Sequence, residues 1–340
     1  MTVLVTGGAG YIGAHIVRLL REGQEEVVVV DDLSTGDASR VSGVPMVQVD
    51  IAMPASVGRM AETMAATGTT SVIHLAARKE VGESVARPMW YYQQNVAGMA
   101  NVLSAMELAR VSRLVYSSSA AVYGAPDSGY VREDDVTRPE NPYGETKLVG
   151  EWLIRNAARA WGLRGVSLRY FNVAGAGWPN LGDPTVANLV TMVLDRLSRG
   201  EPPEVFGTDY PTPDGSCIRD FVHVLDVAKA HVAALDYLDR LDRPFDVFNV
   251  GTGIGHSVLE VVRVLGRSTG SVGLPSLLGR RVGDPPRVVA CVERIGAVLG
   301  WRAEAGLDRI LASAWDAWRV REAGGRSPAS QPSAVAQGTP

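Results

Sequence analysis

The strongest constraint on this chain is a run of glycines placed between a strand and a helix. Val3-Leu4-Val5 reads as a short buried strand, Gly7-Gly8-Ala9-Gly10-Tyr11-Ile12-Gly13 follows at once, and a helical pattern runs on to about Arg21. Both the spacing Gly8-x-Gly10-x-x-Gly13 and the looser Gly7-x-x-Gly10-x-x-Gly13 are present. Glycine permits the tight turn, lets the backbone approach a pyrophosphate, and lets the helix lie close on the strand. The helix start then offers unpaired N–H groups and the positive end of its dipole to phosphate. Asp31 closes the next apolar run, Val27-Val28-Val29-Val30, at about the 20-residue separation where a carboxylate accepts from an adenosine ribose 2′-hydroxyl. Gly7, Gly10, Gly13 and Asp31 are therefore expected to hold a dinucleotide. The pair Asp31-Asp32 brings two negative charges and no arginine to the ribose edge, which favours NAD over NADP.

The first half of the chain repeats this strand–helix rhythm. Further buried-strand patterns are Met46 to Val49, Val72-Ile73-His74-Leu75, Leu114-Val115-Tyr116 and Val166-Ser167-Leu168, with helical patterns near 57–66, 91–109 and 144–161 between them. Short continuous apolar strands separated by helices imply parallel strands covered on both faces and joined by right-handed crossovers. The expected class is α/β, a doubly wound parallel (Rossmann-type) sheet over residues 1–172. After Asn172 glycine and proline become denser, and helices near 186–197, 224–238 and 257–266 and a strand over Phe245–Val250 sit among turns. Residues 173–321 read as a smaller mixed α/β substrate lobe, with room for elements that return to the sheet. Residues 322–340, rich in Gly, Ala, Ser, Pro and Gln, bury too little to offset their ordering entropy and are expected to be disordered.

With 33 basic against 37 acidic residues the net charge is −4, which speaks against a nucleic-acid binder or a protein held on anionic lipid. No apolar run approaches the ~18 to 20 residues of a membrane span, and the N-terminus lacks the basic flank and cleavage site of a signal peptide. Cys217 and Cys291 are the two cysteines, neither in a metal-ligand spacing, and read as reduced thiols. A cytoplasmic protein without a metal is expected.

Tyr143 and Lys147 lie four residues apart, which on a helix places them on one face. A free phenol has a pKa of about 10, so it is a poor base near neutrality. A neighbouring ammonium and a positively charged nicotinamide would favour the phenolate. Ser117-Ser118-Ser119 ends the fifth strand, where ligands gather in an open α/β sheet, and a hydroxyl there can bond the oxygen that Tyr143 deprotonates.

These motifs resemble the extended short-chain dehydrogenase/reductases and, within them, the UDP-glucose 4-epimerase family. The resemblance runs from Met1 to about Trp301. It includes His74-Leu75-Ala76-Ala77, Val81-Gly82-Glu83-Ser84-Val85, Asn95-Val96, Asn141-Pro142-Tyr143 with Lys147, and Leu168-Arg169-Tyr170-Phe171-Asn172. It continues through Tyr210-Pro211-Thr212, Arg219-Asp220-Phe221-Val222-His223, Asn249-Val250-Gly251-Thr252-Gly253, Arg281-x-Gly283-Asp284 and Leu299-Gly300-Trp301. It implies that Tyr143 removes the proton of a hexose 4-hydroxyl while hydride passes from C4 to a retained NAD. The 4-keto sugar then turns, and hydride returns to its other face. Lys147 would bind the nicotinamide ribose and hold down the tyrosine pKa, and Ser119 would steady the 4-oxygen. The cofactor would be lined by Tyr11, Ile12, Asp50, Ile51, Leu75, Ala76, Ala77, Lys79, Asn95, Ser117 and Tyr170. UDP would be held by Asn172, Asn188, Leu189, Phe206, Arg219, Arg281 and Asp284, the two arginines being suited to a forked diphosphate clamp.

Some positions depart from the family pattern. Ala121 stands where many members carry threonine, and the stretch 172–188 is short and lacks a histidine after Gly175-Ala176. Val288 stands at the residue that sets the room behind the sugar; it either only packs or leaves space for N-acetylhexosamine forms. A UDP-uronic acid or UDP-pentose is the alternative substrate. A 4,6-dehydratase would need a carboxylate pair after Ser119, where Ala120-Ala121-Val122 stand. A non-catalytic NAD sensor would not need Tyr143, Lys147 and Ser119 together. The resemblance also implies a homodimer built from the helices near 91–109 and 144–161.

Overall fold

The structure, a computed structural model, describes residues 1–270, 273–281 and 283–324. Seven parallel strands make its main sheet. In chain order they begin with β1 (Thr2–Thr6), β2 (Glu26–Asp31), β3 (Met46–Gln48), β4 (Ser71–His74) and β5 (Arg113–Ser119), followed by Arg164–Tyr170 and Phe245–Val250. From one edge to the other the order is Phe245–Val250, Arg164–Tyr170, β5, β4, β1, β2, β3, so the winding reverses between β4 and β1. The doubly wound α/β class read from the sequence is present.

Residue alternation along the strands builds two separate apolar layers. Val3, Val5, Val27, Val29, Ile73 and Val115 face helix α1 (Tyr11–Glu22) and the helix Val224–Tyr237. Leu4, Val30, Val72 and Leu114 face α2 (Ser56–Thr67) and the helices Gly98–Leu108 and Pro142–Trp161. With both faces covered, the strand centres are mostly apolar on both sides, which is why the runs read so clearly in the sequence.

The pattern expected to be one helix over 91–109 divides. Pro88–Tyr91 is α-helical, Tyr92–Ala97 is a π-helical turn, and Gly98–Leu108 continues as α-helix. Asn188 caps the helix Leu189–Ser198, which therefore starts after the expected 186.

The smaller lobe holds a sheet ordered Gly255–Ser257, Ile218–His223, Arg287–Ala290, Tyr130–Val131, with Asn172–Ala174 also paired to Ile218–His223. A two-stranded pair, Glu204–Phe206 with Ser276–Leu278, lies beside it. The change of rhythm at Asn172 does not divide the layers in space. Tyr130–Val131 comes from the first half and joins the small sheet, and Phe245–Val250 comes from the second and completes the large one. The terminal helix Leu307–Ala323 includes residues 322 and 323 of the expected disordered tail, and 325–340 lie outside the described residues.

Candidate functional site

The glycine turn follows β1 at the reversal of strand order, where open α/β sheets bind ligands. Gly7 has φ +70°, and a Cβ there would meet the Ala76 backbone nitrogen at 2.7 Å. A Cβ on Gly13 would come within 2.1 Å of the Gly7 carbonyl oxygen. The sequence can therefore only be glycine at both places. Gly10 is the N-cap of α1 and supplies no side-chain cap, so the helix start keeps its N–H groups for an anion.

Asp31 ends β2 buried, its carboxylate accepting from the Ala9 and Leu33 N–H groups, each at 2.9 Å. Burial pushes its carboxyl up, against those two hydrogen bonds. Asp50 accepts from Ala52 N–H at 2.9 Å, and Ile51 packs beneath Gly98. Beyond Asp32 and Asp50, at the carboxyl ends of β2 and β3, opens a pocket of about 410 Å³ shared with Gln48, Val49, Met53 and Arg59.

Leu75, Ala76 and Ala77 follow β4, with Ala76 pressed against the glycine turn. The Lys79 ammonium lies 3.8 Å from the buried Asp183 carboxylate and 5.9 Å from the Tyr11 ring centroid. Tyr11 itself is buried and donates to the Gly175 carbonyl, while its neighbour Ile12 is partly buried. The Asn95 amide is wholly engaged: it accepts from Arg78 N–H at 2.8 Å and donates to Arg78 C=O at 3.0 Å and Thr146 Oγ1 at 2.9 Å. It thus ties the loop after β4 to the helix that carries Tyr143. The cradle fits a dinucleotide in its glycine turn, its open helix start and its acidic β2 end.

Tyr143 is fixed by helix initiation. Asn141 caps the helix Pro142–Trp161 through Gly144 N–H at 2.9 Å, and Pro142 occupies the first turn. A Cβ on Gly144 would sit 2.6 Å from the Ala121 carbonyl, so glycine brings the helix against the turn after Ser119. Ser119 in turn caps that turn, Ala120–Tyr123, through Ala121 N–H at 3.2 Å. Burial raises the Tyr143 phenol above its usual value, and a hydrogen bond with Ser119 pulls it back down.

The expected lowering by Lys147 is not found. Lys147 donates to the Ser117 carbonyl at 2.8 Å, with its Nζ 5.9 Å from the Tyr143 ring centroid. Its burial among Ser117, Tyr116 and Tyr143 drops its own pKa to about 7, so its positive charge is only partly present near neutrality. Ser117 also meets His231 through its hydroxyl, 2.8 Å from Nε2. His231 Nδ1 faces the Val227 carbonyl at 2.8 Å and must carry the hydrogen. Burial keeps that ring neutral, with a pKa of about 4, so Nε2 accepts from Ser117. Tyr170, beside this pair, is partly buried, and desolvation pushes its phenol far up.

On the substrate side, Arg219 and Asp284 meet at 3.5 Å, and Arg219 also donates to the Pro285 carbonyl at 2.8 Å. The Arg281 guanidinium lies 3.8 Å over the Phe206 ring. Asn188 accepts from Thr191 N–H at 3.1 Å and donates to Asp183 at 2.9 Å, so its amide serves the start of the helix that Leu189 begins. Asn172 is exposed at the first position of its strand. Val288, paired in register with Arg219, is buried among Val122, Tyr123, Leu148 and Phe171. It therefore stands against both the turn after Ser119 and the helix carrying Tyr143.

Several groups escaped the sequence reading. Arg78 reaches the ribose edge that was expected to hold no arginine, with its guanidinium 3.0 Å from Asp32. Glu151 and Arg169 form an ion pair in the interior at 2.7 Å, joined by Ser118 at 2.6 Å and Tyr123 at 2.9 Å. Arg169 was signalled: a charge inside a buried strand demands a partner. Arg78 was not, since its partner lies 46 residues away.

A profile of the NAD dependent epimerase/dehydratase family matches residues 3–251. The UDP-glucose 4-epimerase of Azospirillum brasilense is 44% identical over 318 residues, covering 92% of this chain and 90% of that one. The crystal structure of UDP-glucose-4-epimerase from Stenotrophomonas maltophila, with bound NAD and formylated UDP-arabinopyranose, superposes with a TM-score of 0.89 at 40% identity, covering 95% and 99% of the chains. That of the Brucella ovis UDP-glucose 4-epimerase, in complex with NAD, gives 0.87 at 40% identity, covering 92% and 97%.

Proposed function

The chain belongs to the NAD dependent epimerase/dehydratase family, and on that premise we propose that it is an isomerase interconverting UDP-glucose and UDP-galactose with NAD as a retained cofactor. The observation that carries this reading is the close packing of the helix bearing Tyr143 and Lys147, at Gly144, on the Ala121 carbonyl of the turn that Ser119 caps at the carboxyl end of β5. Gly7, Gly10 and Gly13 with the start of α1, Asp31, Asp50 and the loop Leu75–Lys79 would hold the cofactor. When bound, NAD accepts the hydride from C4 of the sugar and restores it.

Tyr143 takes the proton of the 4-hydroxyl and later returns it, and Ser119 donates to the same oxygen. Lys147, fixed on the Ser117 carbonyl, is held at the nicotinamide ribose and gains charge as pH falls toward 7. Burial of Tyr143 and Lys147 keeps water from the keto sugar. Arg219, Arg281 and Phe206 hold the uridine diphosphate. Val288, smaller than an aromatic side chain at that place, would give room for the N-acetyl forms. The short stretch 172–188 favours a second reading, a UDP-pentose or UDP-uronic acid.

Two copies pair, on this reading, through the helices Gly98–Leu108 and Pro142–Trp161, the second of which exposes Trp152, while Val85 and Met89 stand exposed on the short helices Val81–Ala86 and Pro88–Tyr91. The unpaired thiols Cys217 and Cys291 suit the cytoplasm, and among the described residues no helix is long and apolar enough to cross a membrane. The test is turnover of UDP-galactose by purified protein with no added NAD, read by coupled detection of UDP-glucose and repeated across a panel of UDP-sugars. Absence of turnover on UDP-galactose, with turnover of a uronic acid or pentose, would replace the hexose reading by the second one.

A further inference from the structure

Arg78 makes contacts that no role above uses. It follows β4, whereas two of its side-chain partners, Asp32 and Ser34, follow β2. NH2 lies 3.0 Å from Asp32 Oδ2, NH1 donates to Ser34 Oγ at 2.7 Å, and Nε donates to Gln94 Oε1 at 3.3 Å. The guanidinium carbon sits 5.0 Å over the Trp90 ring. Its backbone is held as firmly, since Asn95 bonds both its N–H and its C=O. Both ends of this residue are therefore fixed.

The sheet order gives the bridge its meaning. β4 and β2 flank β1 on either side, and the glycine turn stands at the end of β1. A side chain reaching from the end of β4 to the end of β2 crosses in front of that turn. It spans the crevice at the switch point, where a dinucleotide lies in this class of fold. Asp31, one residue before Asp32, lies on one bank, and Ala77 and Lys79, the neighbours of Arg78, lie on the other.

We propose that Arg78 is the residue that retains the cofactor, its bridge to Asp32 and Ser34 forming a strap across the adenosine end of the cleft that must open before NAD can leave. This rests on the NAD reading above. The strap is partly exposed, at 20% for Arg78 and 28% for Asp32. Salt therefore weakens it, and its effect falls on the rate of release. Retention matters for a reaction in which the same hydride must be returned: a cofactor lost midway leaves a ketone behind.

The experiment is a chase. Holoenzyme carrying labelled NAD is mixed with excess unlabelled NAD, and release is followed for the wild type, Arg78→Leu, Asp32→Asn and the double variant at low and high salt. Each single variant is expected to release NAD about two- to fivefold faster at low salt. The double variant should be no faster than either single one, and salt should accelerate the wild type while leaving the variants flat. Release is read only from molecules that hold NAD, so a misfolded fraction does not contribute, and Asp32→Asn tests the bridge from its other end. Wild-type rates in both single variants, or effects that multiply in the double variant, would overturn the strap and leave the NAD reading standing. A wild-type protein that holds no NAD at all would overturn that reading and the strap with it.

Discussion

On the proposed mechanism, the phenol of Tyr143 and the ammonium of Lys147 on one helical face divide the work of proton transfer unequally. Tyr143 is raised by burial and steadied by Ser119, so its value as a base depends on what surrounds it when the site is filled. Tyr143→Phe should lower kcat by on the order of 10² to 10⁴ while NAD stays bound, measured by turnover and by absorbance of the released nucleotide. Lys147 carries a proton-linked strain. Its folded pKa of about 7 lies below the usual 10.5, so the unfolded chain binds the proton more tightly. The sign follows: stability rises between pH 7 and 10.5, by up to about 1.4 kcal/mol per pH unit, and is lost as pH falls through 7. Urea midpoints should therefore climb from pH 7 to pH 9, and Lys147→Met should flatten the climb.

At the scale of elements, the catalytic helix is anchored by charge as well as packing. Glu151, one turn beyond Lys147, is fully buried and paired with Arg169 on the adjoining strand, with Ser118 completing the shell. Glu151→Ala leaves an uncompensated guanidinium and should destabilise by roughly 3 to 5 kcal/mol, seen in urea unfolding. Arg169→Met together with Glu151→Leu should recover most of that loss.

The strands were legible because both faces of the sheet are covered and the strand centres are mostly apolar. The glycine turn was legible because no other residue fits at Gly7 or Gly13. The π-helical turn at Tyr92–Ala97 was not, since one extra residue in a turn hardly disturbs an apolar period. Lys147 was expected to act on Tyr143 because spacing gives a shared face, but spacing does not say that Ser117 captures the ammonium. Phe206 and Arg281 were named separately, and only the folded loops stack one on the other.

For the whole molecule, association is the open property, and its surface is specific. Trp152, 49% exposed, lies at mid-helix in Pro142–Trp161, which packs against Gly98–Leu108 and against the short helices that expose Val85 and Met89. Trp152→Asp should shift the protein from dimer to monomer at micromolar concentration in light scattering, with circular dichroism unchanged. A wild-type monomer would remove the proposed pairing.

The crossing of Tyr130–Val131 into the small sheet and of Phe245–Val250 into the large one has a consequence for how the chain can be taken apart. Severed after Asn172, each fragment would lack an edge that only the other supplies. Neither piece would stand as an autonomous unit, and mixing them should regenerate the native assembly. The hinge that a two-lobed outline suggests is therefore sewn from both sides.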